Sequence, residues 1–96
     1  MSLAASYDPS ADALYLRRRA GVSVADTVEV QPRVIVDLGA DGASVGVELL
    51  AAARHGIPTG ELARALGAGV GEQEVAEAAA QAIRGRSVPP PIADVP

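Results

Sequence analysis

Val34-Ile35-Val36-Asp37-Leu38-Gly39-Ala40-Asp41-Gly42-Ala43-Ser44-Val45-Gly46-Val47-Glu48-Leu49-Leu50 is the stretch on which the reading of the fold depends. Asp41-Gly42 is a dipeptide favoured in type I′ turns, because both positions tolerate positive φ. With that pair at the turn centre, Leu38 falls opposite Val45, Val36 opposite Val47, and Val34 opposite Leu49. All six are apolar, and alternation along each strand places them on one face. The other face then carries Ile35 opposite Glu48 and Asp37 opposite Gly46. A slip of one residue would send the apolar set to the wrong face, so the pattern specifies its own register.

Upstream, residues 13–19 and 22–30 flank Ala20-Gly21 and read as a second hairpin, with Pro32 interrupting the chain before the next strand. The segment from Asp8 supports two readings. Asp8-Pro9 could cap and open a helix reaching Ala20, whereas Leu14 and Leu16 alternating with Tyr15 and Arg17 suit a strand. Downstream, Thr59 can cap a helix over 60–66, with Leu62 and Leu66 four apart and Gly67 as the stop. A second helix over 72–84 puts Val75, Ala78, Ala79, Ala82 and Ile83 on one stripe. Its acidic start at Glu72, Glu74 and Glu77 and its basic end at Arg84 suit the helix dipole. The expected fold class is therefore α+β, a small antiparallel hairpin meander of four to five strands followed by two C-terminal helices. The chain divides into a sheet over 1–55, a helical extension over 56–86 packing on the sheet or on a partner, and an extended tail over 87–96 holding four of the seven prolines.

Composition narrows the function classes. The chain has 96 residues, enough for one core and not for two. It lacks cysteine, tryptophan and phenylalanine, and its 49% hydrophobic content is dominated by alanine and valine. Alanine buries little area, so the core rests on the branched aliphatics, and a second copy covering part of it would relieve the shortage. Without cysteine there is no disulfide scaffold, thiolate zinc site or cysteine nucleophile. A net charge of −4 with two aromatic residues argues against a general nucleic-acid binder. No apolar run reaches membrane-spanning length and no leader pattern opens the chain, so the expectation is a soluble cytoplasmic protein without a cofactor.

The chemistry-bearing residues each have a plainer reading. Asp8, Asp12, Asp37 and Glu48 could gather opposite the valine core as an oxygen-ligand metal site or an acid–base pair. Equally, Asp8 and Asp12 can accept N–H groups in their own turn, while Asp37 and Glu48 are polar residues on a half-exposed sheet. Arg17-Arg18-Arg19 is the sole basic run, but strand alternation sends Arg18 to the opposite face and disperses the charge. Residues 61–67 resemble the first half of a helix-turn-helix. The following turn, however, is two residues too long, and the would-be recognition helix opens on Glu72-Gln73-Glu74, which would press negative charge toward DNA. His55 has no second histidine or cysteine with which to hold zinc and is read as a junction residue. Gly67, Gly69 and Gly71 lie between two helices without the strand or lysine of a phosphate cradle and are read as a connector.

Tyr7-Asp8-Pro9, Ala11-Asp12-Ala13-Leu14-Tyr15-Leu16, Val34-Ile35-Val36-Asp37, Asp41-Gly42 and Val45-Gly46-Val47-Glu48-Leu49-Leu50 recur in that order in a small prokaryotic family catalogued as domain of unknown function 2283. The chain resembles it over about residues 5–54, departing at Arg18-Arg19-Ala20-Gly21, where an Asp-Gly turn is common. The resemblance implies a compact antiparallel sheet in which residues 8–12 form a turn and 13–18 a strand. It implies no established activity. Its motif positions Tyr7, Asp8, Asp12, Tyr15, Asp37 and Glu48 are the candidate binding residues. Some relatives are encoded beside toxin-like ribonuclease folds, which implies an antitoxin-like regulator as an alternative. The leading expectation is a non-catalytic binding or structural module, a homodimer or the partner of another small protein, engaging it through the alanine-rich helix and tail. Deleting residues 56–96 should then abolish capture and leave a folded sheet. A carboxylate-based metal-dependent enzyme is the second alternative.

Overall fold

The computed structural model describes residues 3–87. Five strands form one antiparallel sheet: β1 (Ala4–Asp8), β2 (Ala13–Arg17), β3 (Asp26–Gln31), β4 (Val34–Leu38) and β5 (Ser44–Leu50). Three helices follow: α1 (Ala52–His55), α2 (Thr59–Leu66) and α3 (Glu72–Ser87). The fold is α+β, with the one-turn α1 added to the two helices expected. The last nine residues, with most of the expected tail, lie outside the described residues. No helix among the described residues is long and apolar enough to cross a membrane.

The β4–β5 hairpin pairs Val34 with Leu49, Ile35 with Glu48, Val36 with Val47 and Asp37 with Gly46, as the alternation requires. Its last rung differs, because Leu38 pairs with Ser44 instead of Val45. Only Gly42 of the expected turn pair has positive φ (82°), so the type I′ reading fails. The Gly42 N–H instead donates to Gly39 O at 2.9 Å, and Gly39 N–H to Ala43 O. This longer loop absorbs one residue, and Val45 becomes a bulge.

The strand order is β1-β2-β5-β4-β3. The hairpin expected about Ala20-Gly21 is therefore absent: β2 pairs with β1 and β5, while β3 lies at the far edge against β4. Gly21 does turn the chain (φ 80°), with Val22 N–H donating to Arg19 O. That turn feeds a crossing segment over 18–25 and not a direct return. Local turn chemistry could not reveal this, because β5 supplies β2 with a better apolar partner. Leu14 meets Leu49, and Leu16 meets Val47. The ambiguous segment from Asp8 is the β1–β2 hairpin, as the resemblance implies.

The sheet buries one face. Leu14, Leu16, Val34, Val36, Val47 and Leu49 are joined there by Leu62, Ala63 and Leu66 of α2 and by Val75 and Ala79 of α3. α3 lies over β1 and β2, and α2 over β5 and β4. The i, i+4 spacing of Leu62 and Leu66 and of Val75 and Ala79 aims each helix at the sheet. Thr59 does not cap α2; it is the helix's first residue, and its hydroxyl donates to Glu72 Oε1 at 3.4 Å, tying α2 to α3. β3 is left out of this packing, with all six residues exposed.

Candidate functional site

Two polar clusters and one bare edge compete for attention. The first cluster closes the β1–β2 turn onto α1. Asp12 has positive φ (52°), and its carboxylate accepts the Tyr7 hydroxyl at 2.7 Å. The same carboxylate accepts the backbone N–H groups of Ala53 at 2.7 Å and Arg54 at 3.1 Å. Ala51 precedes α1 with positive φ (56°) and no capping side chain, so Asp12 caps that helix from forty residues away. The Ala53 N–H, followed by the Tyr7 hydroxyl, holds the Asp12 carboxyl at about 2, below its ordinary 3.8. The bond to Asp12, with burial second, pushes the Tyr7 phenol up. Asp8 accepts the Ser10 N–H and hydroxyl within the turn itself.

The second cluster lies on the sheet face that the helices leave open. Tyr15 donates to Asp37 Oδ2 at 2.9 Å, and Thr27 donates to Asp37 Oδ1 at 2.9 Å. This ties β2, β4 and β3 together across the top of β5. Burial, reinforced by the bond to Asp37, raises the Tyr15 phenol. The ring can lie there because residue 46 is glycine. A Cβ at Gly46 would stand 2.7 Å from Tyr15 Cζ and 2.8 Å from the Leu16 carbonyl oxygen. Glu48 sits on the same face, level with Tyr15 and Ile35.

The arginine run is absorbed singly. Arg17 donates to Val22 O, holding the crossing segment. Arg18 donates to Leu66 O and Ala68 O, satisfying carbonyls at and beyond the C-terminus of α2 where the dipole favours a cation. Arg19 pairs with Asp41 at 3.0 Å. The guanidinium of Arg19, then the Ala43 N–H, lowers the Asp41 carboxyl.

The bare edge is β3. Val24, Val28 and Val30 are 44%, 40% and 54% exposed, and three of the four exposed large hydrophobic residues among the described residues thus lie on or just before this strand. Pairing with Val36 puts Val28 on the helix-bearing side of the sheet. There the floor of Val30, Val34, Val36 and Leu38 meets Ala65 of α2 in an open groove of about 410 Å³, rimmed by Glu61 and Arg64. The Pro32-Arg33 turn shapes this edge. Proline cannot supply the positive φ that a primed hairpin turn needs at its first position, so Arg33 takes it instead (φ 74°). The register slips between Glu29 and Gln31, leaving Val30 as a bulge. Arg33 is held there by donating from Nε to Leu50 O at 2.9 Å and from Nη2 to Gly56 O.

A family model described as "Protein of unknown function (DUF2283)" matches residues 5–52, half of the chain. The chain belongs to that family. No curated protein and no solved structure matches it. The DUF2283 match runs from β1 to the first residue of α1, so α2 and α3 lie beyond it while supplying five of the thirteen buried residues of the core cluster.

Within this DUF2283 fold the six candidate binding residues separate. Tyr7, Asp8 and Asp12 stand at the β1–β2 turn, and Tyr15, Asp37 and Glu48 on the open face. Among the described residues no group of three or more histidine, cysteine, aspartate or glutamate side chains could hold a metal ion. His55 is exposed at the end of α1. Sequence reasoning missed Val28, Val30 and Arg33. The signal for the first two was the alternation of Val28 and Val30 with Thr27 and Glu29; for Arg33 it was the proline before it.

Proposed function

We propose that this chain is a non-catalytic protein-binding module that works by strand addition at β3. The observation that carries the reading is that β3 alone among the strands has every residue exposed, with Val30 lining an open groove floored by Val34, Val36 and Leu38. An edge strand with a half-apolar face is a template for another strand, and side-chain pockets beside it supply selectivity; on β3 an incoming strand would take over the Thr27 N–H from the Asp26 carboxylate that now accepts it. The motif tyrosines and aspartates support the reading from the other side. Tyr7, Asp12, Tyr15 and Asp37 spend their hydrogen bonds inside the fold. The partner is a second copy or another small protein, a toxin-like one included, in a cytoplasmic setting.

The partner-engaging element thus moves from the alanine-rich helix to the far edge of the sheet. The test compares Val28→Arg with Ala76→Arg, the latter on an exposed position of α3. Both tagged variants and the parent are expressed in the native host, cross-linked and quantified by mass spectrometry. Partners retained by Ala76→Arg and lost by Val28→Arg are expected. Equal retention by both variants overturns the reading. Calorimetric titration with Mg²⁺, Ca²⁺ and Mn²⁺ is expected to stay flat, and a binding isotherm would return the carboxylate reading to first place.

A further inference from the structure

We infer that the strand added to β3 is β3 of a second copy, paired antiparallel about a two-fold axis normal to the sheet at Val28. The inference rests on the strand-addition reading and names its partner and register. Both edges of the sheet are open to pairing, but they differ. β1 has α3 packed over it, with Tyr7 in the core and Leu3 and Ala5 packed against it. β3 has neither face covered and carries the exposed valines. An isologous contact must be self-complementary, because each residue meets the mirror position in the partner.

Three centres, Thr27, Val28 and Glu29, leave rungs of β3 on both sides of the axis before the bulge, and charge and apolarity choose between them. In an antiparallel pair with a two-fold axis, residues directly opposite share a face. Centring on Glu29 sets two carboxylates against each other, which is destabilising, and its Val28–Val30 rungs would fall on the bulge that takes Val30 out of the ladder. Centring on Thr27 sets Val28 against Asp26 and leaves no valine pair. Centring on Val28 sets Val28 against its own copy on the groove side, beside Val36 in both chains. Thr27 then faces Glu29 of the partner on the open side, Asp26 falls level with the bulge at the partner's Val30, and no like charges are opposed. The same axis joins the two grooves into one apolar floor that runs from one α2 to the other. A six-residue strand edge alone falls short of the ~800 Å² per partner of a standard interface, so the joined floor is the part that makes the contact specific.

The chain has no cysteine, so single introduced thiols report the register directly. Disulfides need Cα atoms about 4.4–6.8 Å apart, a range met by directly opposed residues. With the axis at Val28, a residue one position away lies about 8 Å from its own copy, from the strand rise and spacing. The full chain carrying Val28→Cys should therefore close to a covalent dimer under a glutathione redox buffer. Thr27→Cys alone and Glu29→Cys alone should stay monomeric, while an equimolar mixture of those two should give the mixed dimer. Light scattering of the parent should show a concentration-dependent dimer that Val28→Arg abolishes. Self-bridging by Glu29→Cys as fast as by Val28→Cys overturns the register. A parent that stays monomeric at all concentrations, with no Val28→Cys bond, overturns the second copy as occupant. In that event, loss of cellular partners by Val28→Arg still upholds strand addition, and retention of all of them removes strand addition as well.

Discussion

Gly46→Ala is the substitution whose cost the structure fixes most tightly. In a strand interior, alanine normally gains about 0.5–1 kcal/mol over glycine, because it has less backbone freedom to lose. At residue 46 the new methyl would meet two obstacles. The Leu16 carbonyl oxygen, 2.8 Å away, belongs to the neighbouring central strand and cannot retreat without moving the ladder. The Tyr15 ring, 2.7 Å away at Cζ, can tilt, but only by releasing its 2.9 Å bond to Asp37. Overpacking of this kind costs about 1–3 kcal/mol, and the lost hydrogen bond about 0.5–1.5 kcal/mol. Set against the propensity gain, the net destabilisation is about 1–3 kcal/mol. Each kcal/mol lowers Tm by about 4–8 °C in a domain of this size. Urea unfolding followed by circular dichroism measures it. Repeating the substitution in a Tyr15→Ala background removes the ring and keeps the carbonyl, so the cost should shrink without vanishing. A neutral or stabilising Gly46→Ala would refute the packing argument. An unchanged cost in the Tyr15→Ala background would refute the ring's share of it.

Other perturbations test the remaining joints of the fold. Asp12 has a depressed carboxyl, at about 2 against an ordinary 3.8, so the stability it contributes is present above about pH 4 and lost as pH falls through about 2; thermal melts between pH 2 and 6 should show this acid limb flattened in Asp12→Asn. The two tyrosines are the only aromatic residues, so the absorbance change of phenol ionisation reports them alone; both should titrate above 10, and Asp37→Asn should bring Tyr15 down toward it. Truncation after residue 55 removes Leu62, Leu66, Val75 and Ala79 from the core and should abolish the cooperative urea transition, in place of the folded sheet that the residue pattern suggests. Within the full chain, Leu66→Ala should cost about 2–5 kcal/mol in the same assay.

The parts of the fold that could be read from the residues are those where one local rule suffices. Alternation fixed four rungs of the β4–β5 ladder, and the i, i+4 spacing of Leu62 with Leu66 and Val75 with Ala79 picked out the buried stripes. The expectations that failed needed a comparison between distant segments. Ala20-Gly21 has turn chemistry, yet the pairing of β2 was decided by Leu49 and Val47, more than thirty residues downstream. Val45 fits the ladder on polarity, but the loop from Gly39 to Ala43 set its length by backbone hydrogen bonds, and the rung slipped. The cap that Asp12 gives to α1 was invisible for the same reason. Its partner, the Ala53 N–H, has no side-chain signature at all.

That asymmetry bears on where recognition resides. A residue whose polar atoms are spent inside the fold can be legible as a motif and still have nothing left to offer a ligand. Tyr7, Asp12, Tyr15 and Asp37 are of this kind, since each closes a contact between elements that would otherwise drift apart. Their side chains are therefore poor places to look for a partner, however regular their spacing. β3 has the opposite character. Its residues carry no motif, contribute nothing to the buried cluster and lie at the sheet edge, where β4 is the sole neighbouring strand. A fold that keeps such a strand must tolerate its hazard as an aggregation edge, and the charges at Asp26 and Glu29 and the bulge at Val30 temper that hazard without closing the edge. Tempering without closure is what selective strand addition requires. Replacing Glu29 by valine should therefore loosen register control first, giving soluble higher oligomers by light scattering while the unfolding free energy of the monomer from urea titration stays within about 0.5 kcal/mol of the parent; a Glu29→Val protein with unchanged association would show that the charge plays no part in choosing the pairing.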